Sequence, residues 1–381
     1  MTVNSDVLSD QLLAVLRSVT GLPALAYSRP PVPLTGGFWA QLFAFSLAEP
    51  PDGWPHDLVV RVMPQPETAR KETVIQRSVA AAGFPTPVVR AAGGPDDGLG
   101  EAFMVMDRAP GTPLLSGLSL AGALSRGAAL LGEMPRLLAS TMARLHALDP
   151  VPARTELDAA GAVVASMSSM LAVHRDLALT FARPDLMRAA QWLIDHPARP
   201  APAVICHGDL HPFNLLFDGT GVTVLDWSTA LLAPRSCDVA FTTLALSELG
   251  LKAPGWLRLP VRWLRRRIAS RFVRTYERET GIVIDRAELV WYQAVVFMRA
   301  LVEVSGWVLG LSWTAGPDRR LRWALKLLYA SMDEKRREDG LTWPAHGEVR
   351  HRDGPGHADR TMARPAGRRL RLPSEVVTHR T

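Results

Sequence analysis

The sequence predicts a two-lobed α+β fold, with a small β-rich N-lobe ahead of a larger, mostly helical C-lobe. Three observations carry this. Short β-rich runs crowd the first 110 or so residues around a single helical segment. From Ser119 onward apolar residues recur mainly at helical spacing. A short stretch near Asp107–Gly111 that suits neither element joins the two. The length of 381 residues fits two domains or one large two-lobed unit.

In chain order, residues 5–19 form an amphipathic helix, with Leu8, Leu12, Val15, Leu16 and Val19 at helical spacing. Pro23, Pro30, Pro31 and Pro33 enforce a non-helical lead-in, so residues 1–33 are read as an N-terminal helix and its exit. A hairpin follows over 34–47, turning at Gly36-Gly37 and continuing as the strand 42–47. Residues 57–63 form a β-rich run in which Val60 and Val62 share one face and Val59 and Arg61 the other. Thr68 to Ala82 is helical and Gly83 ends it. Residues 103–106 form another strand, closing an N-lobe over 34–108.

The C-lobe is expected over 109–331. Helices are predicted over 130–148, 162–179 and 184–194, with further helices after Asp238. Short strands interrupt them at 204–206, 215–217 and 222–225. The apolar run 289–311 is long, but Arg299 and Glu303 interrupt it four residues apart. It reads as a buried helix with an internal ion pair rather than a membrane span. Residues 332–381 lose periodicity and are read as a disordered tail.

Composition excludes several classes. With 48% hydrophobic residues the chain is not intrinsically disordered. Two cysteines, Cys206 and Cys237, make no disulfide framework and fit a reducing, cytoplasmic setting. Lys and Arg number 43 against 37 Asp and Glu, a net charge of +6, and residues 331–381 alone hold 11 basic and 8 acidic groups. The rest is close to neutral, which argues against a nucleic-acid partner.

The stretch His207-Gly208-Asp209-Leu210-His211-Pro212-Phe213-Asn214, followed by Asp226-Trp227, has the spacing of a kinase catalytic loop. Asp209 can orient or deprotonate an attacking hydroxyl. Asn214 and Asp226 offer the hard oxygen donors that magnesium prefers. The chain resembles the aminoglycoside phosphotransferase and choline kinase-like group, whose fold is protein kinase-like. His207-Gly208-Asp209, Asn214 and Asp226-Trp227 carry the resemblance, with weaker support from Leu34-Thr35-Gly36-Gly37, Glu72, Gly83–Pro87 and Met106–Gly111.

The resemblance implies a phosphotransferase moving the γ-phosphoryl group of ATP, or alternatively GTP, to a small-molecule hydroxyl with Mg2+. It implies Asp209 as catalytic residue and Asn214 and Asp226 as metal ligands. Gly36 and Gly37 would cover phosphates, Arg61 would stand where kinases carry a lysine with Glu72 as its partner, and backbone groups of Asp107 and Ala109 would hold the adenine. Arginine at position 61 keeps the charge without copying lysine geometry, and leaves a nucleotide-binding pseudo-kinase with a sensing or scaffolding role as the alternative.

Plainer readings stand beside these. Glu72 is also an ordinary solvated charge and Gly36-Gly37 an ordinary hairpin turn. His207 and Asp238 read as loop-holding groups, His211 as loop filling. Residues 252–278 hold nine basic groups and the single acid Glu277. Val261, Leu264, Ile268 and Phe272 form an apolar stripe between them. This is either a solvated basic face or one that attracts an anionic partner or membrane surface through 261–278. Oligomeric state is left open.

Overall fold

The computed structural model describes residues 5–34, 40–113, 127–162, 164–248 and 258–308. Gly36 and Gly37, expected to cover phosphates, and the tail 332–381 lie outside the described residues.

The first element is α1 (Ser5–Thr20), and β1 (Tyr27–Leu34), β2 (Gln41–Leu47) and β3 (Asp57–Met63) follow it. After α2 (Pro66–Ala81) come β4 (Val89–Gly93) and β5 (Ala102–Asp107). The five strands pair antiparallel in the order β1-β2-β3-β5-β4. β1 was hidden from a sequence reading by Pro30, Pro31 and Pro33. It lies at the sheet edge, where a missing N–H costs no ladder bond, and its pairing with β2 is irregular.

Alternation along β3 divides two cores. Val60 and Val62 pack with Phe43 and Phe45 under Leu8, Leu12 and Leu16 of α1. Val59 and Met63 pack on the other side with Met104, Met106 and Ala69 of α2. Arg61 shares this second face and is therefore turned toward α2. The helix starts with Pro66 in its first turn and ends where Gly83, at φ +76, donates to the Ala80 carbonyl. Val19 does not join the α1 stripe; it is exposed.

The helical part holds α3 (Gly127–His146), α4 (Pro150–Ala159), α5 (Met167–Thr180), α6 (Pro184–Asp195), α7 (Arg235–Glu248), α8 (Arg258–Thr280) and α9 (Arg286–Val308). The helix expected over 162–179 starts five residues later, at Met167, and α4, which was not expected, precedes it. Gly161, at φ +61, closes α4, and the Ser166 side chain caps α5 by accepting the Ser169 N–H. α3 and α8 pack side by side around Leu138, Met142, Phe272 and Tyr276. α9 is long and apolar enough to cross a bilayer by composition, yet more than half of that stretch is buried in protein. Its Arg299 donates to Glu303 at 2.8 Å, the ion pair its sequence implied.

Two small sheets sit between sheet and helices. β7 (Ala203–Cys206) pairs with β10 (Leu231–Pro234), and β6 (Thr112–Pro113), β8 (Leu215–Phe217) and β9 (Val222–Val224) form the other. Both frame the segment that carries the polar motif.

Candidate active site

β7 delivers His207-Gly208-Asp209 into the cleft. His207 is fully buried. Its Nδ1 accepts the Asp209 N–H at 3.3 Å and its Nε2 meets the Leu225 carbonyl at 2.9 Å. A carbonyl only accepts and an N–H only donates, so the ring is neutral with its proton on Nε2. Asp238, wholly buried on α7, accepts the N–H groups of His207 (2.8 Å) and Gly208 (2.6 Å) and meets His146 Nε2 at 3.2 Å. Burial alone would raise its pKa. The His146 contact and the loop N–H groups outweigh burial and hold the carboxyl below its usual range. Both residues are the loop-holding groups expected of them.

Gly208 has no substitute in this loop. Its φ is +76, and a Cβ there would lie 2.4 Å from the Thr229 carbonyl oxygen. Asp209 follows with a side chain about one-third exposed. The Asn214 amide donates to the Asp209 carbonyl at 2.9 Å and to its Oδ2 at 3.2 Å. The Asn214 Oδ1 is thereby turned toward other partners. His211 does more than fill the loop: its Nδ1 accepts the Phe213 N–H, and its Nε2 faces Asp209 Oδ1 at 3.4 Å.

The second carboxylate comes from the end of β9. The Leu225 N–H donates to the Asn214 carbonyl at 2.9 Å, which sets Asn214 and Asp226 side by side. Asp226 has left-handed backbone, φ +63. Its Oδ1 accepts Arg61 Nη2 at 3.0 Å and the Ser228 hydroxyl at 2.7 Å. Burial pushes this carboxyl up, but the Arg61 charge and the Ser228 hydroxyl bring it below its usual range.

Arg61 reaches from β3 with Nε 3.5 Å from Glu72 on α2. The Glu72 side chain is 1% exposed. Burial pushes its pKa to about 7 against the pull of Arg61. Lys71, beside Glu72, was not singled out from sequence. Its Nζ donates to the Ser228 carbonyl at 2.9 Å, and burial lowers its pKa to about 8. Nothing in the sequence separates it from a solvated helix lysine.

Asp107 lies at the end of β5 opposite Leu58, three residues and about 10 Å along β3 from Arg61. Its N–H already donates to the Val88 carbonyl and its carboxylate is gripped by Arg90 at 2.6 and 2.9 Å. Ala109 follows in the connecting segment.

A cavity of about 670 Å³ opens between β3, α2 and the helices. Arg61, Lys71, Glu72 and Asp209 line it, together with Met63, Met167, Met170, Val295, Val296, His174 and Arg299. Trp291 is core, donating to the His196 carbonyl at 2.7 Å. Cys237 lines the cavity, with its thiol pushed up by burial to about 12, and Cys206 is buried. Both thiols are protonated at neutral pH.

Residues 33–253 match the phosphotransferase enzyme family. A curated relative, mouse acyl-CoA dehydrogenase family member 10, is 29% identical over 195 residues, which is 48% of this chain and 17% of that protein. The chain therefore spans a small part of that relative's length. Among solved structures, a Ralstonia eutropha JMP134 protein provisionally described as an aminoglycoside phosphotransferase is similar at a TM-score of 0.59 and 21% identity. The match covers 85% of this chain and 98% of that one. A thermostable mutant of aminoglycoside phosphotransferase APH(4)-Ia, in ternary complex with ADP and hygromycin B, is similar at 0.52 and 17% identity over 85% and 98% of the two chains. At these identities the structural likeness speaks to fold.

Proposed function

The chain belongs to the phosphotransferase enzyme family, and we propose that it moves the γ-phosphoryl group of ATP, with GTP the alternative donor, onto a hydroxyl of a small molecule. The observation that carries this reading is the convergence on one cleft of Asp209, Asn214 and Asp226 with the Arg61–Glu72 pair. Phosphoryl transfer is mostly positioning and charge neutralisation, and these groups supply both.

In this reading Asp209 orients the acceptor hydroxyl and takes its proton. The Asn214 amide and His211 fix the carboxylate's rotamer. Arg61 neutralises phosphate oxygens, and buried Glu72 fixes where its guanidinium points. The Asp107 carbonyl and the Ala109 N–H hold the adenine. Mg2+ fits the donors present: Asn214 Oδ1 is turned outward, and the Asp226 carboxylate is held by Arg61 and Ser228 through Oδ1. When bound there, the ion supplies charge neutralisation to the phosphates.

The cavity wall is methionine- and valine-rich, and its cations Lys71 and Arg299 are matched by the acids Glu67 and Glu303. It suits an acceptor with an apolar body. The free thiols fit a cytoplasmic setting. The second reading, a nucleotide-binding pseudo-kinase, draws on Arg61 and its 3.0 Å contact with Asp226.

Asp209→Ala separates the readings. Release of nucleoside diphosphate, screened over hydroxyl-bearing metabolites and antibiotics, is expected to fall by roughly 10²–10⁴, with Mg2+-nucleotide binding retained. Wild-type turnover in the variant would remove Asp209 from the chemistry. Nucleotide binding with no turnover on any acceptor would favour the pseudo-kinase.

A further inference from the structure

The outward face of α8 plays no part in the cleft. Leu259, Arg262, Trp263, Arg266, Arg267, Arg271, Arg274 and Arg278 recur three or four residues apart, so they share one side of the helix. All are exposed. The opposite side, with Ile268, Ala269, Phe272 and Tyr276, is buried against the core. The exposed stripe runs about 30 Å along a 23-residue helix.

Charge on this stripe is unbalanced. No carboxylate of a described residue makes a salt bridge to any of its six arginines. The acids near its C-terminal end are engaged elsewhere: Glu277 accepts the Ile284 N–H and Glu279 the Ser140 hydroxyl. A row of like charges at this spacing repels itself and is stabilised by an external anion.

The apolar content of the stripe decides which anion. Trp263 is 59% exposed and Leu259 75% exposed, one turn apart at the helix start. The Arg267 guanidinium covers the indole at 4.9 Å. Arginines flanking an exposed indole and leucine match an interface of anionic headgroups over acyl chains, where tryptophan partitions. A polyphosphate backbone would engage the arginines and leave Leu259 without a role.

We propose that the outward face of α8 docks this protein on an anionic lipid surface, with the arginines over headgroups and Trp263 and Leu259 in the interfacial layer. This is independent of the reaction assigned to the cleft, because none of these residues lines it. Attraction of this kind reaches about 10 Å at 0.1 M salt and about 3 Å at 1 M, so docking is salt-sensitive.

The test is co-sedimentation of the full chain with vesicles of phosphatidylcholine alone and with 30% phosphatidylserine. Binding is expected only to the anionic vesicles, and is expected to be lost by 1 M salt. Replacing Arg266, Arg271 and Arg274 together by Gln is expected to lower partitioning roughly 100-fold, at about tenfold or less per basic group. Replacing the three by Lys is expected to preserve it. Trp263→Ser is expected to weaken binding to the anionic vesicles at 0.1 M salt while leaving its salt dependence unchanged, because the indole contributes no charge. Nucleotide affinity and melting temperature, unchanged in each variant, report that the fold is kept. Equal binding to both vesicle types, no binding, or an unaffected Gln variant would overturn the proposal. So would tighter binding to a short RNA duplex than to the anionic vesicles, with no effect of Trp263→Ser.

Discussion

Arg61 is held by two carboxylates that differ in what they can release. Glu72 is wholly buried and Asp226 about one-third exposed, so an arriving phosphate or cation can take Asp226 from the guanidinium but not Glu72. A lysine at this position has one nitrogen and cannot span both. Arg61→Lys therefore loses about one charge-assisted bond, roughly 1.5–3 kcal/mol, and kcat/KM is expected to fall by about 10- to 100-fold. Arg61→Ala removes the cation that lowers the Glu72 pKa, so burial keeps that carboxyl protonated, and the loss is expected at about 1–3 kcal/mol of stability. Urea unfolding and steady-state kinetics check the two, and silence of both variants would place Arg61 outside the phosphate site. Lys71 offers a pH signature. Burial lowers its pKa to about 8 from a usual 10.5, so between those values the unfolded chain binds more protons than the folded one. Stability conferred at this site then rises with pH across the window, by about 3 kcal/mol in total. The difference in unfolding free energy between wild type and Lys71→Met is expected to climb from pH 8 to 10.5. A flat difference would mean that the amine titrates like a solvated lysine.

At the scale of the element, the catalytic loop depends on one residue without a side chain. Gly208→Ala combines a left-handed φ with a Cβ 2.4 Å from a backbone carbonyl. The strain alone costs about 1–2 kcal/mol, and relieving the clash must move Thr229 or Asp209. A drop of more than tenfold in turnover with nearly unchanged nucleotide affinity is expected, measured by product release and by nucleotide titration. Retained turnover would show that the loop relaxes without moving Asp209. This loop was legible in sequence because its chemistry is local: Asp209, Asn214 and Asp226 lie within eighteen residues on one strand-turn-strand unit. Arg61 was legible through the resemblance, as the residue in the place of the kinase lysine, and strand alternation gave only the face it shares. What escaped was non-local. β1 carries three prolines that only a sheet edge admits, and the short β4 and β10 are strands only because β5 and β7 lie beside them. α4 escaped because Pro150 and Pro152 open it, and prolines in so short a segment read as a break rather than as a first helical turn. Lys71 looks like any surface lysine until its carbonyl partner 157 residues away is known.

Over the whole molecule, the sheet and the catalytic segment are joined through few polar contacts, and Thr86 stands in their middle. Its hydroxyl accepts the Trp227 indole N–H at 2.8 Å and donates to the Val224 carbonyl at 3.0 Å, while the neighbouring Pro85 carbonyl accepts the Val224 N–H at 2.8 Å. The joint thus ties the segment after α2 to both flanks of Asp226: Val224 two residues before it and Trp227 immediately after. Arg61–Asp226 and Lys71–Ser228 bridge the same gap. Thr86→Val keeps the shape and removes the hydroxyl, leaving a buried indole N–H unsatisfied at about 1–3 kcal/mol. If the joint only glues the lobes, the variant melts earlier and binds nucleotide as before. If it also sets the direction of Asp226, Mg2+-dependent nucleotide affinity falls more than Mg2+-free affinity, because the role proposed for the Asp226 carboxylate is to hold the metal. The second outcome is expected, since left-handed backbone at Asp226 leaves its orientation to be fixed by its neighbours. Thr86→Ser, which restores the hydroxyl, is expected to recover both stability and Mg2+ dependence. Nucleotide titrations with and without Mg2+ on the two variants decide it: equal losses in both conditions for Thr86→Val would leave the joint a structural tie with no hold on the metal-binding carboxylate.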